Sequence, residues 1–163
     1  MSRPSTALSS ARRAPAFTLI EVMIVVVVVG LLAAVALPSF MDSIRKGRRA
    51  EATGALAQVQ QEQERWRANR TTYTSTLSDL KLGIDADGKT PSGYYAISIE
   101  QANGSGYIAK AAAVSGTSQA ADTNCTTMRL RLRGGNVEYG GCNACGLPEG
   151  NAPLSDPNRC WSR

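Results

Sequence analysis

Residues 17–37, FTLIEVMIVVVVVGLLAAVAL, form an apolar run interrupted by one charge, Glu21. About 20 helical residues rising about 1.5 Å each cross a hydrocarbon layer of about 30 Å, so this run is long enough to span a membrane as one helix. A carboxylate inside that layer costs at least about 2.5–3.5 kcal/mol, and an intramembrane acid therefore needs a partner, a proton or a function. Glu21 is the residue that any account of the chain has to explain.

The run and the residues before it leave positions 38–163, enough for one modest globular domain. Residues 1–16 are polar and basic and end in ARRAPA, with no apolar stretch of their own. An ordinary secretory signal carries its apolar region before the cleavage site; a cut after Ala16 instead leaves that region on the mature chain. The net charge of +5 falls to +2 once a leader carrying Arg3, Arg12 and Arg13 is removed, so total charge is a weak argument for nucleic acid. Arg12 and Arg13 flank the run on one side, and Arg45, Lys46, Arg48 and Arg49 on the other. Local charge counting would put the C-terminal side in the cytoplasm, whereas the cysteines argue for an oxidising compartment, which is the expected side.

Beyond Pro38 a helical pattern resumes and runs to about Asn69. Phe40, Ile44, Ala52, Ala55, Leu56, Val59 and Trp66 recur at steps mostly of three and four, a narrow stripe on a polar helix. The long helix is expected from Phe17 to Asn69, about 80 Å at the standard rise, with Gly30 and Pro38 as points of weak or missing helix stabilisation. Residues 70–93 are rich in turn formers and read as a loop with one short helical turn near Ser75–Lys81. Alternating segments follow: YYAISIE, GYIAKAAAV, TMRLRLRGG and a short NVEYG, a meander of three or four antiparallel strands with a hairpin at Gly134–Gly135. The helix stripe is the one obvious cover for the apolar face of that sheet, which makes the fold class α+β.

Cys125, Cys142, Cys145 and Cys160 all lie in the last forty residues. An even number in a Gly-rich tail points to disulfides, with three connectivities open. The preferred pairing joins Cys125 to Cys160, tying the C-terminus to the sheet, and Cys142 to Cys145. A zinc site is the rival for the Cys-x-x-Cys spacing, but the chain has no histidine and no second such pair, so no metal is expected. No βαβ pattern surrounds the pair, which argues against a thioredoxin-like redox centre. Asp85 and Asp87 in DADG read as a turn rather than calcium ligands. No nucleophile–base arrangement or phosphate loop is visible, so neither enzymatic activity nor a cofactor is expected. Arg129, Arg131 and Arg133 alternate along one strand face, about 6–7 Å per step, as a basic ladder compatible with phosphate contacts; the plainer reading is a solvated face. The cluster Arg45–Arg49 is expected to meet lipid headgroups or neighbouring helices.

The basic leader, the retained apolar helix with an acid at its fifth position, AFTLIEVMIVVVVVGLLAAVALPSF, and a single αβ head with cysteines together resemble a type IV prepilin. The resemblance implies cleavage between Ala16 and Phe17 by a membrane peptidase, followed by methylation of the Phe17 amine. The family has Gly before the cut where this chain has Ala16. It also implies a role for Glu21: neutralising the Phe17 amine of a neighbouring subunit and so fixing subunit register, since a subunit out of register leaves a charge buried alone at roughly 3–5 kcal/mol. Gly30 and Pro38 would allow the helix to bend. Residues 50–80 and the ending NRCWSR resemble PilE-type minor pilins; a major pilin or a type II secretion pseudopilin would present nearly the same N-terminal helix. The domains implied are a leader (1–16), a membrane and assembly half of the helix (17–37), an amphipathic half (38–69) and a head (70–163). Implied partners are major and minor pilins, the prepilin peptidase, the assembly platform and the inner membrane, with the head in the periplasm and later on the cell-surface filament. Some minor pilins bind duplex DNA for uptake; that role is possible here but not the favoured one.

Overall fold

The computed structural model describes residues 17–147 and 152–161; the leader, including Ala16, lies outside them. One long helix, α1 (Leu19–Arg67), precedes four strands, β1 (Tyr95–Ala102), β2 (Gly106–Ala113), β3 (Thr127–Arg133) and β4 (Asn136–Cys142). Short 3-10 turns occupy Leu77–Asp79 and Ser118–Ala121. The strands form one antiparallel sheet in the order β1-β2-β3-β4, the expected meander. The helix covers one face, the chain at Cys145, Ala152 and Leu154 lies over the other, and Cys160 is tied back to Cys125 in the helix-side core, which completes the expected type IV pilin fold.

The chain divides into two compact units, the first ending at Ser39 and the second beginning at Phe40. In the first, α1 is long and apolar enough to cross a membrane, and it runs through Pro38. Its large apolar side chains, from Leu19 to Val35 and Leu37, and that of Phe17 just before it are all exposed, so none of the described residues covers them. A continuous apolar surface of that size demands lipid or other apolar helices around it.

In the second unit the helix stripe packs on the sheet. Ala52, Leu56 and Val59 are fully buried against Tyr95, Ile97, Tyr107, Met128 and Leu130. Burying a side chain of Leu or Met size is worth about 1.5–3 kcal/mol, which makes this contact the main stabiliser of the head. Ala109 and Ala111, both fully buried, line the same core and leave the bulk to their neighbours. The β3–β4 hairpin closes over Gly134 and Gly135 at φ 55° and 84°. Two successive left-handed residues match the twist of the paired strands, and only glycine takes both without a Cβ penalty.

The buried stripe also contains polar residues at its two ends, Arg49 and Gln63, in the same three-four spacing. Gln63 donates from Nε2 to the Thr74 carbonyl (2.7 Å) and accepts from the Thr74 amide (3.1 Å), fixing the loop after α1. Arg49 forms a bidentate pair with Asp122, both contacts 2.7 Å, and both residues are buried. Asp122 accepts further from the amides of Asn124 and Cys125, while Gln119 Nε2 donates to it and to the Tyr95 hydroxyl (2.8 Å). One network therefore joins α1, the turn before β3 and β1.

This corrects the expectation that the cluster Arg45–Arg49 as a whole meets lipid headgroups or neighbouring helices. Arg49 is an internal anchor, Arg48 stacks 3.9 Å over the Tyr94 ring and bonds Ser118, and Arg45 pairs with Asp42. Four basic residues in five positions wrap around the helix, so several inevitably face the head.

Truncating one member of a buried ion pair strands the other charge, at roughly 3–5 kcal/mol. Arg49→Ala and Asp122→Ala are each expected to lower the unfolding free energy of the solubilised chain by that amount in urea titrations. Burial pushes the Asp122 carboxyl up, but the Arg49 hydrogen bonds and charge, with the Asn124 and Cys125 amides, outweigh it and hold it below the usual range. A depressed folded-state value means the contribution is complete above about pH 4, the unfolded value, and is lost as pH falls through the lower folded one. Acid unfolding of wild type should therefore be steeper below about pH 4 than that of Asp122→Asn.

Candidate functional site

Two regions carry the residues singled out above, one in each unit. In the first, Thr18 precedes α1, and its Oγ1 accepts the Glu21 amide (3.3 Å) while its carbonyl accepts from Val22 (3.3 Å). Thr18 is the N-cap and Glu21 the third helical residue, the Thr-x-x-Glu pattern of a capping box. A negative charge in the first turn also complements the positive end of the helix dipole. The signal is present in the sequence as TLIE, the spacing of a cap and its third helical residue. Glu21 thus has a local structural role in addition to any role between subunits. Phe17 lies immediately before the cap and is exposed.

In the head, the outer face of the sheet differs from the exposed ladder expected for Arg129, Arg131 and Arg133. Arg129 and Arg131 are 5% and 4% exposed, and only Arg133 faces solvent. Arg129 grips Glu100 through Nε (2.7 Å) and Nη2 (3.2 Å) and donates from Nη1 to the Cys145 carbonyl (2.8 Å). Arg131 pairs with Glu138 and donates to the Ala152 carbonyl (2.8 Å). Lys110 joins from β2, its Nζ 2.9 Å from Glu100. Burial pushes the Glu100 carboxyl up, but hydrogen bonds and charge from Arg129 and Lys110 prevail and lower it. The amide of Leu154, ahead of Arg131, lowers Glu138.

Two causes make the arginines internal. β3 is a central strand rather than an edge, and the C-terminal segment returns across its outer face. A register shift between Ile99 and Gln101 leaves Glu100 as the extra residue of a β-bulge. Simple alternation gives no sign of either, so the carboxylate partners were not foreseen.

At the far end of the head a cationic group does face solvent. Arg67 donates to the Gly104 carbonyl (3.3 Å) and lies 5.7 Å over Tyr73; Arg70 stacks 3.4 Å over Trp66. The Gly134 amide donates to Ser105 (2.9 Å), bringing Arg133 beside the same β1–β2 turn. A cleft there, lined by Gln101, Asn103, Ser105, Arg131, Arg133 and Leu147, has a volume of about 370 Å³.

Cys125 is bonded to Cys160 and Cys142 to Cys145. The first bridge is buried, and Gly141 lies so close beneath it that an added Cβ would come within 2.4 Å of the Cys160 Cβ. Asp85 and Asp87 are occupied by a turn: Asp85 accepts the Lys89 amide (2.7 Å), and Lys89 Nζ pairs with Asp87 (3.2 Å). Among the described residues no group of three or more His, Cys, Asp and Glu is placed to hold a metal.

Comparison with known proteins gives two family matches. Residues 38–129, more than half of the chain, match the family described as type IV minor pilin ComP, DNA uptake sequence receptor. Residues 11–37 match the prokaryotic N-terminal methylation motif. Among curated proteins, the chain is 51% identical over 41 residues to a type IV major alpha-pilin of Moraxella bovis, covering 25% of this chain and 26% of that one. It is 31% identical over 72 residues to the type II secretion system core protein G of Pectobacterium carotovorum subsp. carotovorum, covering 44% and 46%. The chain thus spans about a quarter to about half the length of these relatives.

The two bridges close loops of very different size, 35 and 3 residues apart in sequence. Loop-closure entropy predicts that Cys125→Ser with Cys160→Ser costs about 4 kcal/mol and Cys142→Ser with Cys145→Ser about 2 kcal/mol. Guanidinium titrations of the two double variants check the order.

Proposed function

The chain belongs to the type IV minor pilin ComP family, and from that premise we propose that it is an assembly subunit of a type IV pilus whose head also binds duplex DNA. The carrying observation is the uncovered apolar helix surface from Phe17 to Leu37, headed by Glu21. Such a surface is satisfied by lipid before assembly and by neighbouring pilin helices after it. The leader is removed between Ala16 and Phe17 by the prepilin peptidase, and the Phe17 amine is methylated. In the filament Glu21 accepts that cationic amine from the adjacent subunit, so a correctly registered pair is neutral and a misplaced one is not. Gly30 and Pro38 let the helix adapt to its neighbours, where its own backbone support is weakest. The head, with two disulfides, suits the periplasm before assembly and the filament surface afterwards, the assembly platform extracting the subunit from the inner membrane.

The DNA reading is favoured over the sequence-based expectation by the family match and by the cationic end of the head. Arg67, Arg70 and Arg133 would contact phosphates, with Trp66 and Tyr73 beneath two of them holding the guanidinium planes. Arg129 and Arg131 support this surface from within rather than touching nucleic acid.

Mass spectrometry of the chain recovered from sheared filaments should show methylated Phe17 at the N-terminus; assembled chains retaining all sixteen leader residues would overturn the proposal. Glu21→Ala should leave membrane insertion intact and reduce filament incorporation by at least about tenfold, given the few kcal/mol at stake. Fluorescence anisotropy with a labelled duplex tests the head. Substituting Arg67, Arg70 or Arg133 by Ala should weaken binding, and each lost phosphate contact should flatten the log–log salt slope by about 0.9; unchanged affinity and slope in all three would remove DNA from the reading.

A further inference from the structure

The two disulfides occupy different chemical settings. Cys125 and Cys160 are 0% and 2% exposed, whereas Cys145 sits on an exposed loop. Both sulfurs of the second bridge receive a hydrogen-bond donor. The Cys145 amide points to Cys142 Sγ (3.1 Å), and Arg129 Nη1 to Cys145 Sγ (3.5 Å). Arg129 cannot drift away, because Glu100 and the Cys145 carbonyl hold it. Within the four-residue ring Ala144 takes φ 51°, a left-handed conformation that is unfavourable for a Cβ-bearing residue. The closed loop is therefore strained in its backbone, and the opened one has a cation waiting for a thiolate.

We propose that Cys142–Cys145 is a thiol–disulfide exchange site, opened and closed by a dithiol or a dithiol oxidoreductase while Cys125–Cys160 remains closed. The thiolate of the dithiol bonds to Cys142 Sγ, the Sγ–Sγ bond breaks, and its electron pair leaves on Cys145 Sγ beside Arg129. The second thiol of the dithiol, having lost its proton to water, attacks its own sulfur in the mixed disulfide and expels Cys142 as a thiolate, which takes a proton from water. The dithiol becomes a disulfide, losing two electrons, and the chain gains them. Cys145 is the better leaving group because the guanidinium lowers the energy of its anion. The reverse sequence closes the ring.

Opening releases the ring but not the head. The C-terminal segment keeps its own anchors: Ala152 on Arg131, Leu154 on Glu138, the Gly141 amide on the Ser155 carbonyl, and the buried bridge at Cys160. The chain is here the substrate of the exchange, not a thioredoxin-like catalyst.

The test equilibrates the full solubilised chain in graded mixtures of reduced and oxidised dithiothreitol, quenches with acid, alkylates and maps the cysteines by mass spectrometry. The expected result is an equilibrium constant for opening Cys142–Cys145 at least tenfold more favourable than for Cys125–Cys160, about 30 mV for a two-electron couple, with circular dichroism unchanged. Opening of both bridges together, or of Cys142–Cys145 only once the head unfolds, overturns the proposal. On the reduced pair, alkylation of Cys145 should reach half its maximal rate at lower pH than that of Cys142. Arg129→Lys should preserve that gap and Arg129→Gln close it. Should the Gln variant fail to fold, equal wild-type profiles for the two thiols would still refute the assigned leaving group.

Discussion

One helix has to satisfy two environments, and the rest of the structure follows from that constraint. Up to Leu37, α1 presents apolar side chains that none of the described residues covers; beyond Phe40 it becomes the buried spine of a sheet domain. The two halves are continuous in backbone but not in chemistry. A helix apolar all round asks for lipid or partner helices, whereas a helix with a narrow stripe asks for one face of a sheet. The chain thus carries a surface that only assembly or a membrane satisfies, next to a head that is satisfied alone.

The head is held to its helix by more than the apolar stripe. Ala52, Leu56 and Val59 give burial without direction, since apolar contacts tolerate some sliding. Arg49 at one end, bidentate on Asp122, and Gln63 at the other, clasping the Thr74 backbone, fix position along and around the helix. Directional contacts at both ends of a greasy stripe set a register that the stripe alone would leave loose. The outer face uses the same device: Arg129 and Arg131, held in the sheet by Glu100 and Glu138, donate to the Cys145 and Ala152 carbonyls of the returning C-terminal segment.

The apolar periodicities were legible in the sequence, and the polar anchors were not. The stripe through Ala52, Leu56 and Val59, the alternation in TMRLRLR and the Gly134–Gly135 turn all follow from periods of 3.6 and 2 and from glycine's backbone freedom. Arg49, Gln63 and Gln119 failed the same tests because a polar residue is assigned to the surface unless its partner is known, and each partner lies far along the chain. The arginines of β3 show the difficulty most clearly. Alternation placed them correctly on one face, but whether that face meets water depends on the contacts of Cys145 and Ala152 and on a bulge at Glu100. At the helix start the reverse held: the Thr-x-x-Glu spacing of a capping box lay in plain sight, and the Glu21 amide does bond to Thr18 Oγ1.

That capping box bears on how an acid can survive at the head of an apolar helix. A carboxylate at the third helical position faces the positive end of the dipole, worth roughly 0.3–1 kcal/mol at an exposed terminus. This is smaller than the cost of burying the charge, at least about 2.5–3.5 kcal/mol in a hydrocarbon layer. Local capping therefore positions Glu21 without stabilising it in apolar surroundings, and the remaining deficit has to be met from outside the chain. A cation is the simplest complement, and in a bundle of like helices the amine that the proposed cleavage would create at Phe17 would lie at the matching end of each one. The same carboxylate is thus too costly for an isolated buried helix and suited to one among neighbours, a difference that favours assembled over solitary subunits once lipid is left behind.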